Sequence, residues 1–533
     1  MTTTEPPRVA APESRVTRWR QQLAAPVDIA SLVYFRIAFG AIMAWEMWRF
    51  VDHGWIDRYY TDKELYFSYW PFTFVEPLPE PWIHLVFFAT MAAALLVVSG
   101  LFYRVAAPAM FVGLAYIFLL ERARYLNHFY LIVLIAFLLC FLPLNRSSSV
   151  DAWRKPSLRS ETVPAWCLWL IQFQIAVPYF FGGIAKLNGD WLRGEPLRDW
   201  LAARTDFPIL GNHFTNEPVV WVMVYGALLL DLFVVAGLLY KKTRPWAFLA
   251  AVMFHLMNSR LFNIGVFPWT MIAATAIFFP ASWPRDITRD LRTGGTGSSW
   301  RRTGLWVGLA VGFWLGGFLP DSFSLVRASI GAVGLGVGGY HVGAWFQPID
   351  APATAVTKGA KKTSKRAAAP AMVSMFVFVA LAAWVAYQVL MPMRHLAIAG
   401  NVHWTEEGHD FSWHMKLRDK DADADFVVIA DGEEFYLDDE EYLTDRQENK
   451  MEARPHLMVQ YADFLEEEFQ SFGYTEVEVY AEVWASLNGR EEQLLIDPTF
   501  DLTTASIPWF GHAEWIYPLD PGVFELPPDA FGF

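Results

Sequence analysis

Cysteine is almost missing from this chain. There are two in 533 residues, Cys140 and Cys167, both inside apolar runs. That excludes a disulfide framework and a cysteine-built zinc site, and assigns both thiols to buried structure. Charge is scarce as well: charged residues make up 18% of the chain, against 54% hydrophobic and 17% aromatic, and mean hydropathy is +0.24. A soluble chain of this length is more polar. The N-terminal stretch MTTTEPPRVAAPESRVTRWRQQ lacks an early apolar core and a small-residue cleavage site, so it reads as a polar tail and not a signal peptide. No Walker loop, dinucleotide fingerprint or HExxH is present. No basic, aromatic-interleaved surface argues for nucleic acid. No metal site is evident, because histidines alone do not imply one.

What the chain has instead is a series of apolar runs, several near the roughly 20 residues that cross a bilayer. A basic tail, 1–27, precedes spans at about 28–50, 82–101, 105–120, 127–143, 164–185 and 218–239. Apolar sequence from 245 to 281 is broken by Asn258, Ser259, Arg260 and Asn263, and reads as two spans with a polar elbow. Two Gly-rich spans follow, 303–319 and 326–346, where the glycine spacing means close helix packing. A Lys/Ala/Pro linker, 347–370, and a last span, 371–391, complete a membrane domain of residues 28–391. The fold class is a polytopic α-helical membrane protein of about 9–11 spans with a C-terminal β-rich domain.

In an eleven-span count the Lys/Arg-rich loops 145–162, 241–244, 283–302 and 347–370 share one side. The positive-inside rule makes that side, and the N-terminus, cytoplasmic. Arg122 and Arg124 fall on the other side. Residues 392–533 then form an extracytoplasmic domain. FVVIADGEEFYL reads as a hairpin with an Asp-Gly turn. HLMVQYADFLEEEFQSF has helical spacing, and EVEVYAEVWASLNG reads as one or two strands. The expectation is a small, mostly β domain with one helix, resting on the membrane's outer face. Its acidic run, Asp438 to Glu441, reads as a solvated loop.

Several polar residues sit where they are expensive. Arg36 and Glu46 lie in the first span and Asp231 in the middle of LLLDLFVV; each costs a few kcal/mol if unpaired in hydrocarbon. An Arg36–Asp231 bridge between helices would satisfy both. Lys186 appears in YFFGGIAKLNGDW just where an apolar helix ends; it reads either as a snorkelling lysine or as a working amine. Asn127 and His128 open the fourth span. His255 and Asn258, three apart in FHLMNSRLFNIG, share a helical face. They form either a helix-end hydrogen-bond network or the polar wall of a cavity. The 124–128 turn, Lys186 and the 255–263 elbow all fall on the outer face of the eleven-span count, which favours one shared site.

Taken in order, FRIAFG (35–40), RYLNHFYL (124–131), YFFGGIAKLNGDW (179–191), LLLDLF (228–233), FHLMNSRLFNIGVF (254–267), SWPR (282–285), NVHWTEEGHDFSWHMK (401–416) and DPTFDL (497–502) resemble the vitamin K-dependent γ-carboxylase family. The resemblance implies an integral membrane enzyme that uses reduced vitamin K (phylloquinol or menaquinol), O2 and CO2. Such an enzyme converts glutamate in a peptide or protein substrate to γ-carboxyglutamate, and the quinol to its epoxide. On the matching positions, Lys186 is the family's base and His128 the histidine that stabilises the oxygenated intermediate. His255 and Asn258, with Asn127, look like the quinone pocket. Trp404, His409 and Trp413 lie in the stretch that resembles the glutamate-substrate segment.

The departures carry information too. The cysteine pair that links the two parts of animal members has no counterpart, and the chain ends at Phe533, soon after DPTFDL. A short, low-cysteine chain looks like a prokaryotic member, placed in a bacterial inner or plasma membrane. A family Leu-Tyr stands here as Gly408-His409. Three functions follow: a carboxylase, a quinol epoxidase without carboxylation, or a non-catalytic membrane receptor or transporter of the same fold.

Overall fold

The computed structural model describes residues 14–61, 65–208, 210–262, 264–293, 299–317, 324–346 and 371–520. Asn263 and the linker 347–370 lie outside the described residues. Eleven apolar helices follow the runs read from the sequence: α1 (Ala30–Asp52), α2 (Trp82–Ser99), α3 (Tyr103–Leu119), α4 (Asn127–Leu139), α5 (Ala165–Ala185), α6 (Glu217–Leu239), α7 (Arg244–Leu261), α8 (Phe267–Thr275), α9 (Ser299–Gly317), α10 (Ser324–Gly343) and α11 (Met375–Leu390). Of these, α1, α2, α5 and α6 are each long and apolar enough to cross a membrane. The outward faces of α2 and α6 carry exposed Leu85, Phe88, Leu95, Val222, Leu229 and Phe233. In the most apolar window of α6 only 28% of residues are buried. Water would not tolerate such a surface; lipid does.

Inside the bundle α1 is the axle. Its Leu32, Phe35, Phe39, Met43 and Met47 are buried in one core with residues of α2 to α5, α7, α8 and α10. A short antiparallel ribbon, Pro26–Asp28 against Thr162–Pro164, ties the entry of α1 to the entry of α5. The α9–α10 pair packs backbone on backbone. A Cβ placed on Gly304, Gly308 or Gly312 would lie 2.1 Å from a carbonyl oxygen of the facing helix. The close packing expected of these glycines is present.

The two thiols differ. Cys167 is buried, whereas Cys140 is only half-buried and donates to the Ala136 carbonyl. The Arg36–Asp231 bridge is not formed. Arg36 turns to the end of the bundle where α2 stops, and its guanidinium donates to the carbonyls of Leu144, Ser148 and Val98 at 2.7, 2.6 and 3.3 Å. Carbonyls left free beyond helix ends satisfy it as well as a carboxylate would, which leaves Asp231 for another cation.

The C-terminal domain is a four-stranded antiparallel sheet in the order β2-β1-β3-β4, with β1 Lys420–Ala430, β2 Glu433–Tyr436, β3 Val477–Leu487 and β4 Gln493–Leu494. The hairpin turns at Asp431-Gly432, both at positive φ. The inward face of β3, from Val477 to Leu487, packs on α12 (Pro455–Ser471) through Tyr461, Leu465 and Phe469. A second short helix, Asp445–Met451, closed by a capping box at Thr444 and Gln447, joins the one expected. The acidic run is mostly exposed, with Asp439 accepting from the Tyr461 hydroxyl at 2.6 Å.

Candidate functional site

The end of α5 is shaped by glycine and asparagine. Gly183 lets α6 approach so closely that a Cβ there would lie 2.9 Å from the Leu232 backbone nitrogen. Asn188 then closes the helix, donating to the Ala185 carbonyl at 2.8 Å and accepting the Trp191 amide at 2.9 Å. Lys186 is thereby held inside: it is 5% exposed. Its amine donates to Asp231 at 2.8 Å and lies 5.1 Å from the Trp191 ring. A snorkelling lysine would reach for water; this one is paired beneath the surface.

Lys186 and Asp231 line a cavity of about 1320 Å³ that runs from the apolar bundle to the C-terminal domain. His128, Asn127, His255, Asn258 and His409 line the same cavity, so six of the eight residues expected to bind or act on ligands, the base included, are brought together. Phe267 links the two bundle histidines, its ring 5.5 Å from His128 and 5.8 Å from His255. His255 is buried; Nε2 is 2.7 Å from the Tyr179 hydroxyl, while Nδ1 has no partner.

Three expected residues have other work. Asn127 uses its side chain as a tether: Oδ1 accepts from Tyr125 at 2.9 Å and Nδ2 donates to the His414 carbonyl at 3.0 Å. Tyr125 in turn accepts the Phe411 amide at 2.7 Å. Trp404 and Trp413 are fully buried and do not line the cavity. Trp404 sits in the C-terminal core and donates to the Tyr517 carbonyl at 2.8 Å. Trp413 packs into the bundle 5.2 Å from the Tyr130 ring. Both pack the 401–416 loop against the two cores.

Other wall residues have uneven sequence signals. Glu46, conspicuous in the sequence as a charge inside the first span, pairs with Arg49 at 2.5 Å, one helical turn on, and both line the cavity. The far rim is cationic, with Arg124, Lys416, Arg446, Lys450 and Arg454 set against Glu121 and Asp419. Arg454 is 6% exposed and its Nη1 has no partner. Burial, with Arg454 and Arg446 nearby, brings the Lys450 amine down to about 8. Burial lifts the Glu121 carboxyl to about 7, against hydrogen bonds from the Ala123 amide and Gln447. These rim residues converge only through tertiary contact, so no motif announces them.

The rim is fixed to the bundle by ion pairs. Asp190 accepts from Arg490 at 2.7 and 2.9 Å and from Asn488 at 2.8 Å. Burial pushes its carboxyl up, but the bonds from Arg490 and Asn488 prevail and hold it below the usual carboxylate range. Arg122, the residue on the unexpected side by charge, pairs with Asp410 at 3.0 Å. Its position reflects domain docking.

Two family models match the chain. Residues 24–283 match the HTTM domain, a membrane domain, and residues 373–521 match the lumenal domain of vitamin K-dependent gamma-carboxylase. No solved structure matches it. With the bundle and the C-terminal domain each matched in order, the chain belongs to the vitamin K-dependent γ-carboxylase family.

Proposed function

We propose that this protein epoxidises a vitamin K-type hydroquinone and couples that reaction to γ-carboxylation of glutamate in a peptide or protein. The quinol and O2 together supply epoxide, water and a base strong enough to take a glutamate γ-hydrogen, after which CO2 adds at that carbon. Lys186 takes the quinol hydroxyl proton, and Asp231, 2.8 Å away, orients the amine and can share that proton. His128 and the unpartnered His255 Nδ1 are placed to hydrogen-bond oxygen atoms of the bound ring. Phe118, Phe254 and Phe267 supply an apolar wall that excludes water. The cationic rim suits an acidic peptide.

The observation that carries this reading is continuity. One cavity joins the buried Lys186 amine, within apolar walls, to a cationic rim built by a separate domain. Its apolar part suits a lipid-soluble reductant and its cationic rim a water-soluble anionic substrate.

The eleven-span reading is supported by which residues meet, and the Lys/Arg-rich loops make the N-terminal side cytoplasmic in this proposal. Val27 pairs with Val163, Arg20 with Val373, Arg122 with Asp410, and Asp190 with Arg490. Each pair is separated by an even number of the eleven helices, as same-side contacts require. A reporter at residue 242 should read cytoplasmic; an external signal there would overturn the orientation.

One observation favours epoxidation without carboxylation. Gly408 has φ +74°, and a Cβ there would lie 2.9 Å from the His395 Cα. The 401–416 loop is thus built for glycine where the family pattern has leucine. The deciding assay gives purified protein a reduced vitamin K, labelled CO2 and a panel of glutamyl peptides. Epoxide and fixed label are followed together, with Lys186→Ala as control. Both products, lost together in the variant, are expected. Epoxide without label would favour the second reading. Neither product from folded, quinol-binding protein would favour a receptor or transporter, and wild-type epoxidation by Lys186→Ala would remove Lys186 as the base.

A further inference from the structure

The 401–416 loop brings three histidines together in the C-terminal domain. His403, His409 and His414 are 7%, 5% and 6% exposed. One ring nitrogen of each lies within 4.8 Å of the other two. The rings themselves are 4.9 Å apart for His403 and His414, and 5.5 Å for His409 and His414. The Nδ1 atoms of all three are shut off from solvent and have no hydrogen-bond partner.

Core histidines normally bond to backbone or to a carboxylate, because a buried polar atom without a partner costs stability. Three such atoms on adjacent rings call for a shared ligand. The backbone around them is also unusual. Glu406, Gly408, Phe411, Trp413 and Lys416 all have positive φ, and strain of this kind persists where a site needs it.

We propose that His403, His409 and His414 bind a divalent transition metal, with zinc as the best-suited ion. Three imidazoles with a fourth position left open is a known arrangement for catalytic zinc. His409 and His414 line the cavity and His403 does not, so the ion sits in the cavity wall. Next to them, His395 donates from Nδ1 to the Pro392 carbonyl at 2.9 Å, and its ring is 4.7 Å from His414. That bond fixes the His395 tautomer with the proton on Nδ1. The buried Glu406 carboxylate lies 3.7 Å from His409 and is paired with Arg418 on its other side, while Lys420 and Arg454 stand near His409. This site is independent of the quinol reaction proposed above.

The test uses untagged full-length protein in detergent, stripped with a chelator and titrated with Co2+ and then Zn2+. One equivalent of Co2+ per chain is expected, with the intense visible absorption of a four-coordinate ion, displaced by Zn2+ and accompanied by a higher melting temperature. The His403→Gln/His414→Gln double variant should lose the absorption and bind about 100-fold more weakly or worse. His84→Gln is the control, since His84 belongs to an exposed group with Asp57 and Glu80. The proposal is overturned by wild-type protein that binds no cobalt or only weakly absorbing six-coordinate cobalt. It is equally overturned by binding lost in His84→Gln and kept in the double variant. Should the double variant not fold, the wild-type spectrum and stoichiometry decide alone.

Discussion

At the scale of single residues, burial decides what each charge can do. Lys186 was legible in the sequence because an amine at the end of an apolar helix is conspicuous. Its partner was not, because pairing between helices depends on how each is rotated about its axis. Hydrophobic periodicity says little about rotation when α5 and α6 are apolar all round. Arg36 and Asp231 were paired on charge alone, whereas free carbonyls claim the first and Lys186 the second. Asp231→Asn keeps the shape and removes the proton acceptor. Epoxidation should fall by about 10²–10⁴-fold in kcat, with the KM for quinol little changed. An unaltered rate would remove Asp231 from the machinery. Glu121 offers a second test. Its folded carboxyl is raised from 4.5 to about 7, so its favourable contribution is complete below pH 4.5 and is lost as pH rises through 7. Up to about 3 kcal/mol is at stake. Glu121→Gln should flatten the pH dependence of the melting temperature over that window.

At the scale of elements, the sequence was most readable where local chemistry dictates geometry. Asp431-Gly432 set the hairpin, and the glycine spacing of α9 and α10 set their contact. It was least readable in the 401–416 loop, whose conformation comes from five positive-φ residues and two buried tryptophans held by distant elements. Trp404 and Trp413 read as substrate residues only through the family resemblance of the 401–416 stretch. Here they are anchors. The α9–α10 contact leaves no room for side chains, so Gly312→Val should separate the helices at a cost of about 1–3 kcal/mol. The measurement is a lower melting temperature in detergent, with an exposed position such as Val311→Ala as the neutral comparison.

At the scale of the whole molecule, the cavity exists only because two domains are locked together. Neither domain's sequence contains it: the bundle supplies the amine and the apolar wall, and the C-terminal domain supplies the cationic rim. Asp190 is the most connected bolt, with Arg490, Asn488 and Arg193 all donating to it. Asp190→Ala removes the carboxylate that accepts from Arg490 and Asn488 and should cost about 3–5 kcal/mol. Hydrogen exchange should then rise across residues 484–494 and the 186–193 loop, while the core of β1 and α12 stays protected. Uniform exchange across both domains would show that docking rests elsewhere.

The ribbon that pairs Pro26–Asp28 with Thr162–Pro164 also bears on how the protein is made. The segment that leads into the first helix gains its pairing partner only when the strand ahead of the fifth has been synthesised, once residue 164 of the 533 has emerged.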